Sequence, residues 1–440
     1  MFILEKDLHM SGFYRKQVRN ASLITAVESR LVLERMFDDH GLESRKTGDS
    51  IAIVGGELFN KGAQAMTLTV VNQMAERFPE KDIYLLSGRD YERDQKEKNR
   101  YAFSILPWDA EVQLSLLSPG LDIVNTESYS KRERETVRKV FSNCSMLIDI
   151  SGLALSSQMG AAASFIYLTN IVLSKEYDVP MYVLPQSIGP FDFSAGKKIV
   201  LNPLLQTYLS YPEVICPREK AGAVALESYT RSNVQQEFDI VLQTEGYELD
   251  NVFASEPNLD LKKIDTEAVG IVPNSRVFER TNPKELYKLY EAVIDELLES
   301  GKTIYILRHS VEDLDLCRNI KQLNDNDNIH LFEEDLSAPE LEHIINQLEF
   351  LIGSRYHSLV HAYKHGVPVI AIGWAIKYEE LLDEFGQSQY FFEGREQIDV
   401  EIFVDSVSRM INEWESETET ILEKLDEVRQ NDLFSRLFQN

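Results

Sequence analysis

At 440 residues the chain is too long for one ordinary hydrophobic core, so two domains are the starting expectation. With 72 Asp and Glu against 45 Lys and Arg, its net charge of −27 repels phosphate backbones and anionic membranes, which argues against nucleic-acid binding and an electrostatic membrane anchor. Three cysteines without CxxC spacing (Cys144, Cys216, Cys317), an N-terminus with no apolar signal core, and no apolar run near the ~18 residues of a membrane span predict a cytoplasmic protein that is not integral to a membrane.

In chain order, Leu23, Ile24, Val27, Leu31, Leu33 and Met36 recur at helical spacing, predicting a packing helix over 20–45 within an N-terminal extension, residues 1–48. The pattern then changes. A short apolar strand over 50–56 ends in Gly55-Gly56, a helix follows over 63–78, and a strand over 82–86. Another strand at 146–150 is closed by Ser151-Gly152. A helix over 161–176 leads to a strand at 181–184 and the turn Gln186-Ser187-Ile188-Gly189-Pro190. The acidic, irregular stretch 239–264 closes a first domain, residues 49–264. A second alternation fills 265–398, with strands at 269–273, 303–307, 329–331, 348–352 and 368–372. Helices are expected between them at 283–298, 311–323, 338–346 and 358–365, and two further helices, roughly 399–414 and 416–437, end the chain in a segment 399–440. Strand, glycine-bearing loop, helix, strand is the alternation of a parallel sheet. The expected fold is α/β: two doubly wound, Rossmann-like domains facing each other across a cleft, with sites beyond the carboxyl ends of strands.

That rule singles out Gly353-Ser354-Arg355-Tyr356-His357. Gly353 suits a sharp exit from the strand and Ser354 a helix cap. Arg355 and His357 then stand at a helix amino end, where free N–H groups and the dipole favour an anion. Arginine offers paired planar donors and histidine a proton near neutral pH. The plainer alternative is that Arg355 pairs with a neighbouring acid and His357 caps the turn. His361 and His365 follow at helical spacing without an HExxH glutamate, so a structural role is expected and no metal site. Other strand exits supply weaker candidates. Asn60 and Gly62 form either a backbone cradle or a tight turn. Asp149 either meets an acceptor hydroxyl or caps its own turn. Asn274, Arg276 and His309 lie at exits of the second domain, and Lys377 and Trp374 follow its last strand, the one to hold an anion and the other to stack on a sugar or pack in the core.

The run GSRYHSLVHAYKHGVPVIAIGWAIKYEELLDEFG resembles the C-terminal signature of polysaccharide pyruvyl transferases, in which S-R-x-H precedes a helix, a G-V-P strand and a G-W-x-x-K-Y tail. Asn60-Lys61-Gly62-Ala63-Gln64-Ala65, Asp149-Ile150-Ser151-Gly152, Pro185-Gln186-Ser187-Ile188-Gly189-Pro190-Phe191 and Pro217-Arg218-Glu219-Lys220 agree with further blocks of that family, in the same order. The resemblance covers about residues 51–387 and implies a GT-B-like fold. It implies transfer of the pyruvyl unit of phosphoenolpyruvate, as co-substrate and with no cofactor, to the hydroxyls of a glycan acceptor, lipid-linked or free, in exopolysaccharide or cell-surface glycan synthesis. Carried over residue by residue, Arg218, Arg355 and His357 hold the donor, aided by Ser354 and Lys377, and His357 is the proton carrier. His361 stands where the family more often has a small or apolar residue. Two other readings remain open on the same architecture. One is a nucleotide-sugar glycosyltransferase, which would show an E-x7-E block near the second switch point. The other is a non-catalytic sugar- or anion-binding protein.

Overall fold

Ser50–Val54 has no polar side chain after its first residue and is buried along its whole length, as a strand covered by helices on both faces must be. The structure, a computed structural model, describes residues 22–36, 48–118, 128–255, 257, 259 and 261–438. The chain divides into two compact units. The first comprises Met1–Gly56 with Met74–Glu237, and the second Glu57–Gln73 with Phe238–Asn440. The boundary read from composition at 264 therefore differs from the division by contacts, and the segment after the first strand groups with the second unit.

In the first unit the strands are β1 (Ser50–Val54), β2 (Asp82–Leu86), β3 (Ser104–Leu106), β4 (Cys144–Asp149), β5 (Met181–Gln186) and β6 (Val214–Pro217). They pair in parallel in the order β3-β2-β1-β4-β5-β6. The second unit holds β7 (Ala268–Val272), β8 (Thr303–Leu307), β9 (Ile329–Phe332), β10 (Phe350–Gly353), β11 (Val369–Gly373) and β12 (Phe391–Glu393). Their order is β12-β11-β10-β7-β8-β9, again parallel throughout. Each is a doubly wound sheet in which the chain starts in the middle and reverses direction between its first and fourth strands, β1/β4 and β7/β10. The α/β expectation holds.

Every strand expected from the pattern is present, and β3, β6 and β12 are additional. All three are sheet edges of three or four residues, too short for an apolar run to stand out. The expected helix at the start is observed over 22–36, with Leu23, Val27 and Leu31 buried and Leu33 and Met36 exposed; 37–45 lies outside the described residues. The end of the chain differs from expectation. One 31-residue helix, Val400–Gln430, replaces two, because no glycine or proline interrupts it, and only Leu433–Leu437 is separate. Phe403, Val407 and Met410 are buried along its first half, against the helix Pro283–Glu299.

Candidate active site

The second unit's switch point lies between β7 and β10, where Gly353 pairs with Val272. The backbone N–H of Ser354 continues the pairing, donating to the Val272 carbonyl at 2.9 Å. From there the next helix, Tyr356–Lys364, packs directly onto the strand it leaves. A Cβ on Gly353 would come within 2.6 Å of Leu359 Cδ2 and 3.0 Å of Ser358 Oγ. Close approach, and not a left-handed turn, is therefore what requires glycine at 353. Ser354 does not cap the helix as expected: Arg355 occupies that position, and no side chain caps it. Ser354 is buried, and its carbonyl accepts from Asn274 Nδ2 (2.8 Å) and Tyr378 Oη (3.1 Å). Asn274 meanwhile caps the short helix Ser275–Phe278 through the Arg276 N–H, so it ties the β7 exit to the β10 exit.

Arg355 is gripped by a carboxylate. Its Nε donates to Asp313 Oδ2 at 2.8 Å and its Nη2 to Asp313 Oδ1 at 2.6 Å, a bidentate pair, while Glu312 Oε1 lies 3.1 Å from the same Nη2. Asp313 is fully buried and also accepts from the Ser275 N–H at 3.0 Å. Burial works against the charged guanidinium, and the bonds to Asp313 more than offset it, holding Arg355 above its ordinary pKa. The plainer alternative for Arg355 is thus part of the structure: Asp313 and Glu312 hold one edge of the guanidinium through Nε and Nη2.

His357 lies in the first turn of the helix, with Nε2 3.6 Å from Asp239 Oδ2. Its ring rests on Gly62, where a Cβ would fall 2.7 Å from His357 Cβ and closer still to the ring. Gly62 belongs to the second unit with the rest of this site, in the first turn of the helix Lys61–Arg77. Asn60 Oδ1 accepts from the N–H groups of Gly62 (3.0 Å) and Ala63 (3.3 Å), and Gln64 Oε1 from that of Ala338 (2.9 Å). The Asn-Lys-Gly-Ala-Gln block is therefore a capped helix start fitted to the His357 ring.

Below it, His309 and His361 are buried with ring centroids 5.6 Å apart. Burial first, then the charges of His361, Arg355, His357 and Lys61, push His309 well below the ordinary histidine range. Burial, partly offset by Glu342, brings His361 down to about 4, so both are neutral at pH 7. Glu342 accepts from Lys364 Nζ at 2.8 Å and has His365 Nε2 at 3.7 Å. Burial would raise its pKa, but Lys364 and the two histidines outweigh burial and hold it far below the usual carboxylate range. His361 and His365 thus serve a buried charge network. Among the described residues, no group of three or more His, Cys, Asp or Glu is placed to hold a metal.

The remaining expected residues are dispersed. Arg276 is exposed and faces Glu279 at 3.4 Å. Trp374 is half-buried with the Arg280 guanidinium 4.4 Å above its ring, and Lys377 Nζ lies 4.8 Å from the Tyr356 ring centroid. In the first unit, Asp149 is fully buried at the end of β4. It caps its own turn through the Ser151 N–H (3.0 Å) and accepts from Gln186 Nε2 (3.1 Å). Arg218 follows β6 and donates to Ser187 Oγ at 2.8 Å and the Gly152 carbonyl at 3.3 Å. Four further charged residues were not singled out from the sequence: Lys61, Arg308, Asp313 and Asp239. The exit of the predicted strand 303–307 marks Arg308 as plainly as its neighbour His309, and Lys61 stands inside the Asn60–Ala65 block.

The family model for polysaccharide pyruvyl transferases matches residues 60–375, from this capped helix start to just past Trp374. The chain belongs to that family. No curated protein matches the chain in sequence. Among solved structures, it is similar to UDP-GlcNAc 2-epimerase from Methanocaldococcus jannaschii (12% identity, TM-score 0.52, 82% of this chain and 93% of that one). It is also similar to the spinosyn rhamnosyltransferase SpnG (14%, TM-score 0.51, 88% and 98%). At such identities the likeness is one of fold, the GT-B arrangement of glycosyltransferases and epimerases. Among the described residues, no helix of this family member is long and apolar enough to cross a membrane.

Proposed function

We propose that the protein transfers the pyruvyl group of phosphoenolpyruvate to two hydroxyls of a sugar, as a ketal, in the synthesis of an exopolysaccharide or cell-surface glycan. The observation that carries this reading is the pairing of an arginine locked by Asp313 with a histidine seated on Gly62, both at the carboxyl end of β10. Family membership supports it.

In this reading Nη1 of Arg355 binds one charged end of the donor, with Lys377 nearby. His357 delivers a proton to the methylene carbon, which becomes a methyl group and leaves an oxocarbenium-like centre at C2. One sugar hydroxyl adds there and returns its proton to His357. The C2–O bond to phosphate breaks, the second hydroxyl adds in its place, and its proton leaves with the phosphate as hydrogen phosphate. The donor's carboxylate is retained on the product, and the acceptor gains one negative charge. Asp239 Oδ2, 3.6 Å from Nε2, keeps the His357 ring oriented between transfers.

The test is release of phosphate from phosphoenolpyruvate across a panel of galactosides, mannosides and N-acetylhexosamines, free and lipid-linked, with UDP- and GDP-sugars as alternative donors. Ketal formation with one acceptor class is expected. Turnover with a nucleotide sugar alone would overturn the reading.

A further inference from the structure

Two buried cations near His309 have an unusual counter-ion. Lys61 and Arg308 are 5% and 8% exposed, and both face one oxygen of one carboxylate: Asp335 Oδ1 is 2.9 Å from Lys61 Nζ and 3.0 Å from Arg308 Nη2. The Arg308 contact is off the line of a hydrogen bond, so its Nε and Nη2 have no hydrogen-bond acceptor. The side chain of Asp335 is itself 57% exposed, in the loop between β9 and the helix Ala338–Ile345. Buried guanidinium groups ordinarily have aligned, well-desolvated acceptors, and leaving N–H groups without one is costly. The nearby acids are engaged elsewhere: Asp313 and Glu312 hold Arg355, and Glu333 pairs with Arg318. Lys61 also opens the 17-residue helix Lys61–Arg77, whose amino end carries positive partial charge.

We infer that Lys61 and Arg308 form a phosphate subsite, and that Asp335 occupies it as a displaceable stand-in. A phosphate group presents several oxygens in place of one, so each cation gains its own acceptor, and its second charge outweighs the single charge of the carboxylate. Asp335 leaves by swinging into the solvent it already faces. The subsite then divides the donor between two places. Its phosphate goes to Lys61 and Arg308, and its carboxylate to Nη1 of Arg355. Assigning the phosphate to the donor rests on the pyruvyl-transfer reading; the affinity of the two cations for phosphate does not.

The experiment titrates inorganic phosphate into the full-length protein by calorimetry at low ionic strength, with no sugar or phosphoenolpyruvate, and follows melting temperature in parallel. Removing the resident competitor in Asp335→Asn is expected to tighten phosphate about tenfold and to enlarge the phosphate-induced rise in melting temperature. Arg308→Gln and Lys61→Met are expected to weaken it by about tenfold or more. Asp335→Asn binding phosphate no tighter than wild type, or Lys61→Met binding it equally well, would overturn the subsite; these two variants decide the matter if Arg308→Gln does not fold. A kinetic arm separates the two readings. Phosphate binding that follows the expected order without pyruvyl turnover in the wild type refutes the function and leaves the subsite. Turnover with an unchanged KM for phosphoenolpyruvate in Lys61→Met upholds the function and overturns the placing of the donor's phosphate in this subsite.

Discussion

Gly62→Ala puts one methyl group where the His357 ring rests. The added carbon would lie 2.7 Å from His357 Cβ and nearer to the ring, whereas carbon atoms settle at about 3.5–4.0 Å, so either the imidazole or the helix start must shift by about 1 Å. Overpacking of that kind costs about 1–3 kcal/mol. Replacing glycine by alanine within a helix returns roughly 0.5–1 kcal/mol, so the net loss of stability is about 0–2.5 kcal/mol. The effect on chemistry is larger, because a catalytic group misplaced by 1 Å costs on the order of 100-fold in rate. We therefore expect a melting temperature lowered by only a few degrees, with phosphoenolpyruvate turnover down about 100-fold. The assay is phosphate release with the best acceptor, beside a thermal melt and the 15N shifts of the His357 ring. A variant with wild-type turnover and an unmoved His357 resonance would show that the ring does not sit on Gly62, and the site would have to be rebuilt.

Three further outcomes follow from the same geometry. His357→Ala should keep phosphoenolpyruvate binding in calorimetry and lose about 100- to 10,000-fold in turnover; near-normal turnover would remove the proton role from His357. Asp313→Ala should lower unfolding stability by about 3 kcal/mol, since it strands the Arg355 guanidinium and the Ser275 N–H. Glu312→Gln, whose partner contact is half exposed, should cost under about 1 kcal/mol when both variants are compared by urea titration, and equal losses would contradict the bidentate grip. The third outcome concerns pH. Because burial brings His361 down to about 4 in the folded state, the unfolded chain takes up a proton that the folded one refuses. Stability should be full above the ordinary histidine pKa of about 6.5 and fall as pH drops toward 4, by on the order of 3 kcal/mol for this group, with His309 acting in the same direction. Glu342, whose folded pKa is depressed, adds its loss only in more acidic solution. His361→Gln should flatten the decline between pH 6.5 and 4, and an unchanged slope would place the titration elsewhere.

The strands are legible because buried parallel strands are written as unbroken apolar runs, and the sequence bounds 82–86 and 303–307 to the residue. Three of the four edge strands are not, since strands such as Ser104–Leu106 and Phe391–Glu393 pair on one side only and need no long run. Arg355 and His357 were legible as a strand exit, but their supports were not. Asp313 reaches Arg355 across 42 residues and Asp239 reaches His357 across more than a hundred, and no local spacing encodes such pairs. Local sequence marks Gly62 as part of a cradle or tight turn, while its purpose, room for an imidazole nearly three hundred residues away, belongs to tertiary packing. The Asp335 bridge was missed for the same reason, with Lys61 on one side and Arg308 on the other.

Residues 57–73 group with the second unit although the strands before and after them belong to the first. The unit carrying His357 is therefore not one continuous stretch of gene. A chimera joined at 237/238 from two homologous parents would set the Gly62 of one parent beneath the His357 of the other, and Lys61 of one beside Arg308 and Asp335 of the other. Shuffling at that joint exchanges half of a fitted pair, so functional recombinants should be confined to parents that agree at 60–64, unless this short insert is transplanted together with the C-terminal half.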